Sequence, residues 1–375
     1  MSLTLSEEQQ LLKESAEKFF TKNSPVSRMR SLRDTRDAAG FSRDVWKQMA
    51  NLGWLGIPFS TAHGGSDMGL SELGVVLFEA GRVLAPEPLL STLLMGANAV
   101  HLSGNEALKT DVLPAVVAGD RLVAFAFEEK GRFDPYAIKT EAVSEGDSFL
   151  ITGEKGYVLD GHVADQMVVL ARMSGQTNDR DGLVLFLVNA EDDGISVQRT
   201  CMIDGRNVAR VAFSKVEVSA DSILGDTELL ERVIEQATLG LVAEMVGMAD
   251  ETFERTLTYL KEREQFGVKI GTFQALRHRA AEMFAELEFA RSLLLDGLSA
   301  IDEGRSDTAL SVSAAKAQAN KTARLIGAEG VQMHGGMGMT NELDIGLFLK
   351  RLKAAEFALG DETHHHRRFA SLRGY

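Results

Sequence analysis

A chain of 375 residues with 45% hydrophobic and 25% charged residues has the apolar mass for a large shared core and lacks the composition of a disordered tract. Its net charge of −14 repels phosphate backbones, which argues against nucleic acid or an anionic membrane as the main partner; an anionic ligand has to be met by local positive charge. One cysteine, Cys201, excludes an internal disulfide, and the absence of a signal-like N-terminus or a run of about 20 apolar residues makes the cytoplasm the expected location, with no membrane span.

The first 120 residues read as helices. In LSEEQQLLKESAEKFF (5–20), Ser6 is placed to cap a helix whose Leu11, Leu12 and Phe19 recur at helical spacing; SRDVWKQMANLGWLGI (42–57) repeats the pattern, with Ser42 as cap and Gly53 as a stop. SELGVVLFEAGRVLA (71–85) is helical until Pro86 and Pro88. The period then changes. Segments 121–128, 149–159, 166–173, 182–190, 194–200 and 208–219 are short, rich in β-branched residues and separated by turn clusters, which predicts an antiparallel β domain over 121–226. From 227 to 375 helical periodicity returns, broken near 267–273, 303–307 and 334–338. The expected fold class is α+β, with an N-terminal helical domain (1–120), a middle β domain (121–226) and a C-terminal four-helix-bundle domain (227–375).

The most informative stretch is KEREQFGVKIGTFQALRHRAAEM (261–283). Arg263 and Gln274 flank its glycine-containing turn; a guanidinium there can hold a diphosphate through its planar fork, and an amide can both donate to and accept from a heterocycle edge. Standing alone, this would be an ordinary helix–loop–helix with a surface arginine. GAEGVQMHGGMGMT (327–340) adds Gln332 and the Gly335–Gly336 pair after a helix, where backbone N–H groups can approach a ligand closely.

In this order the two segments resemble the acyl-CoA dehydrogenase family, whose C-terminal domain carries RxxFGxxIxxxQ followed by QxxGGxG. The likeness extends over almost the whole chain, through LGWLGIPFSTAHGG (52–65), ITGEKGYVLDGHVADQMVVLAR (151–172) and VAFSKVEVSADSILG (211–225), and is nearest to the small-subunit type represented by the pimeloyl-CoA dehydrogenase small subunit, which also ends in a GDxxHH segment. The resemblance implies FAD as cofactor. Arg263, Gln265, Phe266 and Gln274 match the family's loop that reaches the FAD of a neighbouring subunit, Gln332, Gly335 and Gly336 match the segment near the same adenosine and pyrophosphate, and Tyr157 takes the place of a residue beside the isoalloxazine, where it can stack.

The family's chemistry implies removal of the proton α to an acyl-CoA thioester and transfer of the β-hydrogen as hydride to flavin, giving a 2,3-enoyl-CoA, with an electron-accepting flavoprotein as a second partner and a homo-oligomer or a hetero-oligomer with a large subunit as the assembly. Two further readings stay open. The chain can be a catalytically silent partner subunit of a heteromeric dehydrogenase, or a flavin oxidase or monooxygenase on the same fold.

The segment EFALGDETHHHRRFA (356–370) first suggests a metal site. Consecutive helical residues point about 100° apart, so His364, His365 and His366 cannot converge on one ion, and no metal is expected. What matters more is the residue before the glycine. Many members of the family carry their glutamate base there; this chain has Leu359 before Gly360, and the alternative position on the first C-terminal helix falls on Ala237. Two turns later, Glu244 lies among Leu, Val and Met and is the leading candidate base, with Asp361 as the second. The flavin-facing residues also depart from the family: Phe127 replaces a hydroxyl in AFAFE (124–128), and Leu159 replaces the threonine of a Trp-Ile-Thr run.

Overall fold

The computed structural model describes residues 5–375. Helix α1 (Glu7–Asn23) begins as expected: the Ser6 hydroxyl accepts the Gln9 N–H at 3.1 Å while the Gln9 side chain accepts the Ser6 N–H at 3.0 Å, a reciprocal cap that satisfies two orphan donors. Helices α2 (Val26–Thr35) and α3 (Arg43–Asn51) follow, the latter capped by Ser42, and Gly53 takes the left-handed conformation just after it. Helix α4 (Leu70–Arg82) stops before Pro86 and Pro88, but helical structure resumes at once. A π-helical stretch, Leu89–Gly96, starts directly after Pro88 and runs into α5 (Ala97–Leu102), then α6 (Glu106–Val117). Proline blocks continuation of a helix but is tolerated at its start, so the same residues that end α4 precede the next turn.

Eight strands form one sheet: β1 (Val123–Ala126), β2 (Glu141–Glu145), β3 (Ser148–Leu159), β4 (Gln166–Arg172), β5 (Leu183–Asn189), β6 (Ile195–Cys201), β7 (Asn207–Ser219) and β8 (Ile223–Asp226). Their order is β6-β7-β3-β2-β4-β5-β8, with β1 on β4. The ladders are antiparallel with two corrections to the expectation: β1 pairs with β4 in parallel, and β2 meets β4 through one parallel bridge, Glu141 to Arg172. The chain does not turn straight back after β1; residues 127–140 and the β2–β3 hairpin intervene before β4. β2 escaped the sequence because EAVSE holds only two apolar residues and buries only Ala142.

Helix α7 (Thr227–Glu262) is followed by the two-residue strands β9 (Glu264–Gln265) and β10 (Val268–Lys269), then α8 (Gln274–Asp302), α9 (Thr308–His334), α10 (Ile345–Phe357) and α11 (Glu362–Leu372). Contacts group the chain into two compact units. The first joins the N-terminal stretch ending at Arg30, Leu70–Ala85 and Thr238–Tyr375; the second joins Ser31–Gly69 and Pro86–Ala237.

In the first unit α4 and α7 cross backbone to backbone. A methyl added at Gly247 would land on the Phe78 carbonyl oxygen, and one added at Gly81 on that of Glu244, so both glycines are fixed by space. Glu79, on α4, is 2% exposed, and its Oε1 has no hydrogen-bond partner among the described residues. Burial pushes its carboxyl up to about 7, with Arg82 at 3.9 Å offsetting part of the shift. Because the folded value lies above the ordinary 4.5, the carboxyl favours the fold fully only when protonated, and that contribution fades as pH rises from about 4.5 through 7. Glu79→Gln is therefore expected to raise the Tm at pH 8 while leaving it little changed at pH 4, as thermal melts at the two pH values would show.

In the second unit the sheet core is built from Ile151, Val158, Met167, Val169, Phe186, Val211 and their neighbours. Arg172 is buried there and donates to five main-chain carbonyls, those of Tyr136, Ile138, Ser174, Asp179 and Asp181, which ties the loops on either side of β4 to it.

Candidate functional site

The resemblance-derived cofactor residues of the first unit sit at the ends of three helices, α7, α8 and α9. After α7, the β9–β10 hairpin places Phe266 (φ 55°) and Gly267 (φ 76°) at its two-residue tip, the pair of positive φ values that a type I′ turn requires. Phenylalanine holds this conformation with strain, yet its ring is 94% exposed, with the edge of Phe273 at 6.2 Å. Arg263 is held by its backbone, donating to the Tyr259 carbonyl and accepting from the Ile270 N–H, and Gln274 opens α8. The Gln265 side chain donates to the Glu264 carbonyl and so stays with the hairpin.

At the end of α9, Gly335 (φ 60°) breaks the helix, and apart from chain neighbours no atom of the described residues lies within 4 Å of where a side chain would begin on Gly335 or Gly336. The Tyr259 and His334 rings stack at 4.4 Å, which draws the ends of α7 and α9 together. The side chains of Arg263, Gln274 and Gln332 are exposed and make no hydrogen bond or ion pair with any described residue. That sets them apart from the adjoining groove of about 680 Å³, also lined by Tyr259 and His334. Its arginines are already paired: Arg82 with Glu251 at 2.8 Å, Arg255 with Asp344 at 3.2 Å and Arg291 with Asp250. An uncommitted guanidinium, two uncommitted amides and an open Gly–Gly turn are the kinds of group that suit the polar half of a dinucleotide; the groove, with its arginines paired, does not offer them.

Tyr157, in the second unit, is half-buried near the end of β3. Glu128 lies opposite it in an antiparallel bridge, its carbonyl accepting from the N–H groups of Gly156 at 2.9 Å and Tyr157 at 3.4 Å. Phe127, assigned from the sequence to the hydroxyl's place, is buried among Phe125 and Phe133, and Leu159 is buried as well. The residue beside Tyr157 is therefore Glu128, which the sequence reading passed over; its signal was an acid directly ending an apolar strand.

The candidate bases fall on different elements. Glu244 is buried on α7, with its backbone against Gly81 of α4; Ala237 is buried too. Asp361 is the N-cap of α11, its Oδ1 accepting the His364 N–H at 2.7 Å, so one carboxylate oxygen is committed to the helix. Leu359 is 3% exposed in the left-handed region (φ 55°), and a polar scaffold holds it there. His365 Nε2 donates to the Leu359 carbonyl at 2.9 Å, and Asn320 Nδ2 to that of Gly360 at 3.3 Å. Lys316 Nζ reaches Asn320 Oδ1 at 2.6 Å and the Ala355 carbonyl at 2.9 Å. Burial lowers the Lys316 ammonium to about 7, and burial together with Lys316 pushes His365 down to about 3, so the imidazole is neutral. This is what the histidine run does: His365 turns inward to fix a turn, while His366 is exposed on the other side. Lys316 was also passed over, although a lysine within the small, apolar run SVSAAKAQAN was a visible cue.

Models of the acyl-CoA dehydrogenase N-terminal, middle and C-terminal domains match residues 6–120, 124–216 and 228–371. A probable acyl-CoA dehydrogenase of Bacillus subtilis (strain 168), YngJ, is 28% identical over 371 residues, covering 96% of each protein. Among solved structures, a variant of the Tcur3481-Tcur3483 steroid ACAD is 31% identical with a TM-score of 0.90 over 99% of both chains. The ChsE4-ChsE5 complex from Mycobacterium tuberculosis is 25% identical, with a TM-score of 0.91 over 100% of this chain and 99% of that one. No helix among the described residues is long and apolar enough to cross a membrane.

Proposed function

The chain belongs to the acyl-CoA dehydrogenase family, oxidoreductases that use FAD, and from that premise we propose that it takes part in the α,β-dehydrogenation of an acyl-CoA thioester as one subunit of a larger assembly. The observation that carries this reading is the set of uncommitted side chains, Arg263, Gln274 and Gln332, together with the open Gly335–Gly336 turn. Arg263 would hold the cofactor's diphosphate through its fork, and the two glutamines would meet its nucleoside polar groups. The projecting hairpin, with Phe266 and Val268 exposed and Met337 and Met339 exposed on the turn after α9, suits residues that reach a neighbouring subunit's cofactor. When bound, FAD supplies the hydride acceptor.

In this reading the segments 1–120, 121–226 and 227–375 are the three domains, Tyr157 offers its ring face to the flavin, and a carboxylate takes the α-proton of the thioester on one of its oxygens. Glu244 is the carboxylate that can do so from within this chain. Electrons then pass to an acceptor flavoprotein.

A second reading is favoured by a specific feature. Leu359 cannot take a proton, and the hydrogen bonds from His365 and Asn320 hold its turn without any carboxylate side chain. Asp361 is committed as a helix cap. The chain would then be the small, base-free subunit of a two-chain dehydrogenase, as the two-chain names of the Tcur3481-Tcur3483 and ChsE4-ChsE5 structures also suggest.

An absorption spectrum decides between them. If the chain alone holds a flavin band that bleaches on anaerobic addition of one class of acyl-CoA, the first reading stands; Glu244→Gln should then abolish bleaching without removing the flavin. A colourless chain that becomes yellow and active only with a second, base-bearing subunit supports the second reading. Absence of flavin in both preparations would refute both.

A further inference from the structure

We propose that Arg30 is a positioning residue for the cofactor, acting with Asp344 as a clamp on the segment that carries the Gly335–Gly336 turn. The proposal rests on the reading above that this turn meets the nucleotide half of FAD.

The segment between α9 and α10 has no core of its own. Of residues 335–342 only Gly338 is buried, and the Thr340 N–H and hydroxyl reach no further than the Met337 carbonyl. Its order therefore comes from its ends, and both are fastened to α7. At the start, the His334 ring stacks on Tyr259 at 4.4 Å; at the far end, Arg255 Nη1 donates to Asp344 Oδ2 at 3.2 Å. Arg255 and Tyr259 are four residues apart and share one face of the helix, so that face grips the segment before and after the glycines.

Asp344 forgoes the ordinary role of its position. It is the N-cap of α10, where an aspartate usually accepts from the N–H groups of the first turn, yet its side chain makes no such bond with any described residue. Its carboxylate oxygens go to two arginines instead, Oδ2 to Arg255 and Oδ1 to Arg30 Nη2 at 2.7 Å. The other terminal nitrogen of Arg30, Nη1, donates to the Asn341 carbonyl, also at 2.7 Å. One planar fork on α2 thus fixes two points of the segment three residues apart, the nearer of them five residues beyond Gly336.

The Arg30 and Asp344 side chains are 22% and 26% exposed, so solvent screens the pair and it adds little to the stability of the whole unit. Its effect is local. A loop that visits its binding conformation only part of the time binds with an affinity lowered by that fraction, and the clamp raises the fraction without touching the ligand.

The test combines FAD release on dilution of the flavin-loaded assembly, followed by flavin fluorescence, with peptide-resolved hydrogen exchange and thermal melts of the same preparations. Arg30→Met should raise the Kd for FAD roughly fivefold, the factor matching one partly exposed ion pair. It should also speed exchange across 335–343 while leaving exchange in α7 and α9, and the Tm, as in the natural protein. Arg30→Lys keeps the charge facing Asp344 but cannot span both acceptors, so it should restore part of the affinity and part of the protection. In an Asp344→Asn background, Arg30→Met should cost less than it does in the natural protein, since both changes open one clamp. Faster exchange throughout the unit with a lowered Tm would make Arg30 a fold anchor and overturn the positioning role, as would a freed loop with unchanged FAD affinity. If Arg263→Ala released FAD and Arg30→Met did not, the clamp alone would be refuted. If the natural assembly held no FAD, the reading of the glycine turn would fall together with the proposal.

Discussion

Lys155→Met is expected to destabilise the second unit by about 3–5 kcal/mol, the range typical of breaking a buried ion pair from one side. Lys155 is wholly buried and Glu129 nearly so, with 2.7 Å between Nζ and Oε1. Burial lowers the lysine to about 8 despite the facing carboxylate; burial would raise Glu129, but Lys155 and the bonds from Thr140 outweigh it and hold it below its ordinary value. The Glu129 carboxylate also fastens residues 139 and 140, which lead into β2. Methionine fills the space of the lysine stem but leaves that carboxylate without its cation. Adding Glu129→Gln to Lys155→Met should recover part of the loss, since glutamine still accepts from Thr140 and carries no charge. Urea denaturation of the two variants would show this coupling. If the double variant were no more stable than Lys155→Met, the cost would lie in packing and not in an unpaired charge.

The parts of the fold that were legible in the sequence are those set by local chemistry. The Ser6 and Ser42 caps, the glycine stop after α3, and six of the eight strands follow from side chains acting within a few residues of themselves. What escaped was set by contacts between distant residues. EAVSE becomes a strand because β3 pairs with it, and the parallel β1–β4 ladder depends on where the chain returns after the β2–β3 hairpin.

The candidate site divides in the same way. Arg263, Gln274, Gln332 and the Gly335–Gly336 turn form a readable spacing, while the Tyr259–His334 stack that draws the ends of α7 and α9 together was not readable. Glu128 had no spacing to give it away, because the bridge that sets it opposite Tyr157 exists only in the fold. The histidine triplet is the converse case: helical geometry, readable in the sequence, already separates three identical letters, but which of them turns inward is set by the fold, where His365 alone meets the Leu359 carbonyl.

Arg263→Ala is expected to weaken FAD retention by the assembly roughly 10- to 150-fold, the equivalent of one charge-assisted hydrogen-bonded contact. The natural side chain is exposed and uncommitted, so its removal breaks nothing inside the chain, and the fold should melt at an unchanged temperature. Arg263→Lys should restore only part of the affinity, because an ammonium keeps the charge but loses the planar fork. An exposed ionic contact is also screened by salt, so the gap between natural protein and Arg263→Ala should narrow as ionic strength rises. The location of the lost cofactor then carries the functional information. If Arg263 reaches across to a neighbour, Arg263→Ala in this chain will loosen FAD held by an unaltered partner subunit, even where this chain alone is colourless. An affinity loss confined to flavin bound by the altered chain itself would place the hairpin on its own cofactor and remove the main support for its role as a reaching arm.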